Sequence, residues 1–194
     1  MLVTDRDDIA RCARRLRSHG MTSSTWDRYQ GETFSYDVVA TGHNYRIDEM
    51  RAALGLAQLA RLDAGNQRRR EITARYRAGL KTLSGLSITC SDHAGISAAH
   101  LFPILLDAGM DREAFMRGLR ACGVQSSVHY PPIHRLTLYH DPHARRSLPV
   151  TDDVAARIVS LPLYPGMDDA CVDTVVDAVR VSGGIASSDR SSSI

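Results

Sequence analysis

From Asp48 to about Leu83 the sequence carries a helical pattern long enough to decide how the rest of the chain is organised. The segment is rich in Ala, Leu, Arg and Glu, and Ile47, Met50, Leu54 and Ala57 recur on one face at helical spacing. Past Gly65-Asn66 a second stripe runs through Ile72, Tyr76, Leu80 and Leu83. Asp48 and Glu49 favour a helix N-terminus through the macrodipole, and Glu71 with Arg75 is expected to form an i,i+4 pair on the outer surface. The pattern predicts one long helix weakened at Gly65, or two helices in succession. Either would join a part before it to a part after it.

The flanking segments differ in texture. Residues 1 to 4 read as a short apolar strand, followed by a helix with Ile9, Ala13 and Leu16 at helical spacing and an end at Gly20. Residues 21 to 41 show no period and suggest a long surface excursion, the kind of loop that commonly carries function. After Gly85, strand and helix signals alternate. Residues 86–89 and 100–106 read as strands; Asp111 caps a helix that runs to Cys122 with Ala114, Phe115 and Leu119 inward, and Gly123 ends it. Residues 124–130 alternate as a strand, and 131–149 are irregular and rich in Pro and His. Thr151 or Asp152 caps a further helix, 158–163 is extended, and Asp168 or Asp169 caps a last helix to about Val181. The Ser- and Gly-rich residues 182–194 are expected to be disordered. The fold class that follows is α/β, with an α+β small domain over 84–181 behind the connecting helix or helix pair of 48–83.

Composition excludes several classes. With 194 residues and 43% hydrophobic content the chain is globular. No apolar run reaches the roughly 20 residues of a membrane span, and no signal-peptide pattern opens it, so no membrane role and a cytoplasmic location are expected. Cys12, Cys90, Cys122 and Cys171 show no C-x-x-C spacing and are expected to be free, mostly buried thiols. A net charge of +2 argues against a nucleic-acid partner, which would need a concentrated basic surface.

Two clusters could carry chemistry. Gly42-His43-Asn44-Tyr45-Arg46 stands directly before the acidic helix start. It is either a helix-entry turn capped by Asp48, or a turn whose Asn amide, Arg guanidinium and neighbouring helix N-terminus donate to an anion. His129-Tyr130-Pro131-Pro132-Ile133-His134 forms a stiff rim at a strand end, where polar groups can converge on a ligand. With His140 and His143 the rim holds four histidines, but their spacing matches no common zinc pattern and no metal is expected. No G-x-S-x-G and no Gly-rich phosphate loop is present.

The blocks Leu16-Arg17-Ser18-His19-Gly20-Met21, Gly42-His43-Asn44-Tyr45-Arg46-Ile47-Asp48-Glu49-Met50 and Ala52-Ala53-Leu54-Gly55-Leu56-Ala57-Gln58-Leu59 occur in that order. His100-Leu101-Phe102, the rim at 129–134 and Leu161-Pro162-Leu163-Tyr164-Pro165 follow. Together they resemble the DegT/DnrJ/StrS family of aminotransferases over residues 1 to about 181. The resemblance implies an aspartate-aminotransferase-type fold (fold type I), with a large domain and a small C-terminal one, and a homodimer. It implies pyridoxal phosphate as cofactor and transfer of an amino group, typically from glutamate, onto a nucleotide-linked keto sugar in polysaccharide or glycoside biosynthesis. By the same resemblance Asn44 reaches the cofactor phosphate in the partner subunit, with Arg46 beside it, and His129, Tyr130 and His134 contact the nucleotide sugar.

One departure stands out. The family's Schiff-base lysine precedes the strand that residues 1–4 match, in a Gly-rich run this sequence lacks, and the only lysine here is Lys81. The expectation is therefore a C-terminal portion truncated at its N-terminus, with residues 1–47 a remnant of the large cofactor-binding domain and no catalytic residue of its own. Such a chain is inactive alone and partners a second copy or the missing N-terminal half. The alternative is a non-catalytic dimerisation or regulatory module derived from the family. In isolation residues 1–45 are expected to aggregate or to be partly disordered, because their edge and apolar face lack a sheet to pack on.

Overall fold

Asp48, Asp111 and Asp168 each turn a side-chain oxygen onto a backbone N–H two or three residues ahead and so fix the starts of three helices. In chain order the helices are α1 (Asp7–Arg17), α2 (Glu49–Leu59), α3 (Leu62–Leu80), α4 (Arg112–Ala121), α5 (Pro149–Arg157) and α6 (Asp169–Ser182). The strands are β1 (Leu86–Ile88), β2 (Phe102–Leu106) and β3 (Ile158–Leu161). The computed structural model describes residues 2–23, 29–31, 35–89, 95–139 and 147–184. They belong to two compact units, Met1–Ala60 and Arg61–Ile194.

In the second unit β2 is the central strand of an antiparallel sheet ordered β1-β2-β3, with Leu86 opposite Leu106 and Phe102 opposite Leu161. Strict alternation buries Phe102, Ile104 and Leu106 and leaves Pro103 and Leu105 half-buried, so one face of β2 is the core face. Onto this core α3 brings Ile72, Tyr76 and Leu80, α4 brings Phe115 and Leu119, and α6 brings Val172, Val175, Val176 and Val179. At about 1.5–3 kcal/mol for each fully buried large apolar side chain, this cluster outweighs any surface ion pair. Tyr76 donates its hydroxyl to the Pro162 carbonyl at 2.8 Å, so its one polar atom enters the core satisfied. The α3–α6 crossing is close: a Cβ on Gly79 would stand 3.0 Å from both Val176 methyls.

In the first unit neither α1 nor α2 buries a residue. Every buried apolar side chain of the described residues lies between Ile72 and Val179, in the second unit.

Several expectations are corrected. Leu2 and Val3 are exposed, and no β-bridge joins residues 2–4 to a described residue. Gly65 lies inside α3, while the helices part at Ala60-Arg61. Glu71 pairs with Arg68 and not with Arg75, because Asp169 and Asp173 of α6 offer Arg75 two carboxylates at 3.1 and 2.6 Å. Residues 124–130 alternate in sequence yet form only one bridge, Ser127 to Ser160. Helix α5 starts at Pro149, whose fixed φ suits the first turn, so neither Thr151 nor Asp152 caps it. Ala114 is exposed, and Met116 packs against the core instead. Cys12, Cys122 and Cys171 are free as expected, but exposed. Cys90, His140, His143 and residues 185–194 lie outside the described residues.

Candidate functional site

The Gly42–Arg46 turn is moulded on the end of α1. A helix leaves its last carbonyls without intrahelical partners, and here the amides of the turn take two of them. His43 donates its N–H to Leu16 O at 2.7 Å, and Tyr45 donates to Arg17 O at 2.9 Å. In return His19 donates to His43 O at 2.9 Å, completing an antiparallel bridge between Ser18 and Asn44. The backbone enters this pairing through two left-handed residues, His19 (φ 60°) and Gly20 (φ 73°). Contact is so close that a Cβ on Gly20 would stand 1.9 Å from Ala40 O. The blocks Leu16–Met21 and Gly42–Arg46, separate in sequence, are one structural unit.

His43 and Tyr45 stack their rings at 4.7 Å with planes 9° apart. Arg46 donates from Nε to Asn44 Oδ1 at 3.3 Å, which occupies the acceptor end of the carboxamide. Among the described residues the Asn44 amide N–H groups and the terminal guanidinium nitrogens of Arg46 have no hydrogen-bond partner. The α2 N-terminus is a poor third donor for an anion, because the Asp48 carboxylate already stands on it, accepting from Arg51 N at 2.9 Å with its second oxygen 3.2 Å from the Arg51 guanidinium. Of the three anion donors read from the sequence, two side chains remain.

In the second unit the His-rich rim follows the Ser127–Ser160 bridge. His129 buries Nδ1 without a hydrogen-bond partner and meets the Tyr130 ring edge-on at 4.9 Å. Tyr130 is exposed. Pro131-Pro132 lead into a single 3-10 turn, Ile133–Arg135. Here His134 Nε2 lies 2.9 Å from Asp152 Oδ1, and Arg135 donates from Nε to the same oxygen at 2.7 Å. The Arg135 guanidinium, with His134 adding to it, holds the Asp152 carboxyl below the usual carboxylate range. A cleft of 680 Å³ lies alongside, lined by Asp111, Arg112, Pro131, Pro132, Arg135 and Asp152 among others.

The structure thus groups Asn44 with Arg46 in the first unit, and His129, Tyr130 and His134 on one rim in the second. Asp152 is the member that sequence reasoning missed. Its only local signal was that of a helix cap, and its actual partners lie 17 and 18 residues upstream. No group of three or more His, Cys, Asp or Glu among the described residues is arranged to hold a metal ion. No helix of the described residues is long and apolar enough to cross a membrane.

The sequence matches the DegT/DnrJ/EryC1/StrS aminotransferase family over residues 1–180. Among solved structures the chain is similar to Helicobacter pylori PseC, an aminotransferase involved in the biosynthesis of pseudoaminic acid. The TM-score is 0.82 and the identity 26%, covering 94% of this chain and 48% of PseC. Against S. venezuelae DesV, solved in complex with a ketimine intermediate, the TM-score is 0.80 at 29% identity, over 98% of this chain and 47% of that one. Against the aminotransferase TlmJ of Streptoalloteichus hindustanus it is 0.76 at 32% identity, over 92% and 45%. The chain spans about half the length of each of these enzymes.

Proposed function

The chain belongs to the DegT/DnrJ/EryC1/StrS aminotransferase family, and from that premise we propose that it contributes part of a sugar aminotransferase site and is inactive alone. The reaction is transfer of an amino group from an amino acid such as glutamate to a nucleotide-linked keto sugar, in the cytoplasm. The residues present fit one piece of the cofactor, pyridoxal phosphate, and not the whole. Asn44 and Arg46 offer donors suited to a phosphate. The chain's only lysine, Lys81, is exposed at the C-terminal end of α3, and residues 1–60 contain none. The cofactor supplies an electron sink for amino transfer when an amine anchors it, and that anchor is not among these residues. A second copy of the chain would bring the same Lys81 and no other lysine, so the anchoring amine comes from residues outside this sequence.

The observation that carries this reading is the state of Asn44. The amides of His43 and Tyr45 are spent on α1 and the carboxamide oxygen is spent on Arg46 Nε, so the Asn44 NH2, with the Arg46 terminal nitrogens beside it, is what the side chains of the turn can offer an anion. The rim residues His129, Tyr130 and His134 serve the nucleotide sugar in the same reading. The test follows the side-chain amide resonance of Asn44 by NMR. Inorganic phosphate and pyridoxal phosphate should move it saturably, and pyridoxal without the phosphate should not. An Asn44 resonance indifferent to both phosphates contradicts the assignment.

A second reading, a non-catalytic dimerisation or regulatory module, is favoured by α2. Met50, Leu54, Leu56 and Leu59 are 84, 61, 70 and 61% exposed, more apolar surface than one helix normally leaves in water. It predicts self-association that Leu54→Glu abolishes, together with an Asn44 resonance indifferent to phosphate.

A further inference from the structure

Asp152 stands where a helix cap is expected and caps nothing. Its N–H is taken by Leu148 O at 2.9 Å within α5, while its carboxylate leaves the helix and reaches back to the 3-10 turn of the rim. Both His134 and Arg135 meet it at the same oxygen, Oδ1, at 2.9 and 2.7 Å. The side chains of Asp152 and His134 are 31% and 33% exposed, so the pair is partly withdrawn from solvent, whereas Arg135 is 63% exposed.

We propose that Asp152 is a positioning residue for His134, fixing the imidazole with Nε2 as donor and leaving Nδ1 as a hydrogen-bond acceptor. The chemistry follows from the carboxylate. With the Arg135 guanidinium beside it Asp152 stays ionised, and an ionised carboxylate only accepts. His134 must then hold its proton on Nε2 in the neutral ring, as a histidine does when one nitrogen is committed to a carboxylate. Among the described residues Nδ1 makes no hydrogen bond, and it carries the free lone pair. A ring so fixed accepts from a hydroxyl group, the commonest donor on a sugar. Arg135 Nε closes the second lone pair of Oδ1, so the ring cannot slide to the other side of that oxygen.

The inference rests on the reading of His134 as a nucleotide-sugar contact, and the experiment separates the two. The full chain with 15N-labelled histidine is examined at a pH where the ring is neutral, with no ligand present. His134 should show a slowly exchanging Nε2–H proton and the ring-nitrogen shifts of a single tautomer. Asp152→Ala should lose the slow proton and mix the tautomers, and Asp152→Glu should restore at least part of both. Because Asp152 does not cap α5, the helix signals should stay in place. A wild-type ring protonated on Nδ1, or a ring unchanged in Asp152→Ala, overturns the proposal; the wild-type measurement alone decides if that variant does not fold. UDP-glucose added as probe should move the His134 Nδ1 resonance in the wild type. Failure of that step alone removes the sugar contact and leaves the ring state as evidence for the hold of Asp152.

Discussion

A Cβ on Gly42 would stand 2.2 Å from the backbone nitrogen of Gly20 and 2.5 Å from the carbonyl carbon of His19. The two glycines let the end of α1 and the Asn44 turn share one backbone pairing, and no flexible side chain lies between them to give way. Gly42→Ala must push the backbones apart, at a cost of roughly 1–3 kcal/mol in strain or turn opening. Hydrogen exchange should show the amides of His43 and Tyr45 losing protection by about tenfold or more, a change of ~1.4 kcal/mol. The amides of β2 and α6 should be unaffected. Unchanged protection at His43 would show that the pairing is not close in solution.

Tyr76→Phe tests the core. The hydroxyl is fully buried and donates to Pro162 O at 2.8 Å, so its removal leaves that carbonyl without the partner it has in the native chain. The loss should be about 1–2 kcal/mol, read as a lower urea midpoint with an unchanged slope. A neutral effect would mean that water reaches the carbonyl.

Acid should destabilise the second unit through its aspartates. Asp111 and Asp168 are held below the ordinary value of 3.8 chiefly by the backbone N–H groups they cap, and Asp173 by the Arg75 guanidinium. A carboxyl with a depressed native pKa is protonated first in the unfolded chain. Its contribution is complete above the ordinary value and lost as pH falls through the depressed one. Urea unfolding followed by circular dichroism should show no slope from these groups between about pH 7 and 5 and a steady loss below about 4. Asp168→Asn should flatten part of that loss, and an equal loss in the variant would remove Asp168 from the account.

Limited trypsin digestion should separate the units. Arg14, Arg15, Arg17 and Arg51 lie in helices that bury no residue, while Arg68 and Arg75 sit on α3, whose other face is core. Cleavage in residues 1–60 should come first and leave a fragment containing 61–182. Equal protection of both regions would contradict the placing of the core in the second unit alone.

What the sequence made legible was local. Asp48, Asp111 and Asp168 cap helices as read, because a cap involves only the next three residues. Residues 100–106 were legible as a strand from their apolar run, but which face of β2 is core, that of Phe102, Ile104 and Leu106, is set by the packing of the helices. The misses are non-local competitions. Arg75 prefers two carboxylates of α6 to a neighbour on its own helix, and Asp152 serves His134 instead of α5. Residues 124–130 carry a strand pattern, yet only Ser127 finds a bridging partner. At the candidate site, Asn44 and the rim were visible from their residue types. That Gly20 and Gly42 are in contact, and that α1 consumes the amides of the turn, depends on a pairing across more than twenty residues that no periodicity encodes.

The proposal that Asn44 serves an aminotransferase site, with no cofactor-anchoring amine among residues 1–194, has one direct test. The most direct measurement incubates the chain with pyridoxal phosphate and glutamate, reduces with borohydride, and maps the modified peptides against an unrelated surface-lysine control. The expected result is no conversion of glutamate and no labelling of the Lys81 peptide above that control. Stoichiometric labelling of Lys81 together with turnover would contradict it.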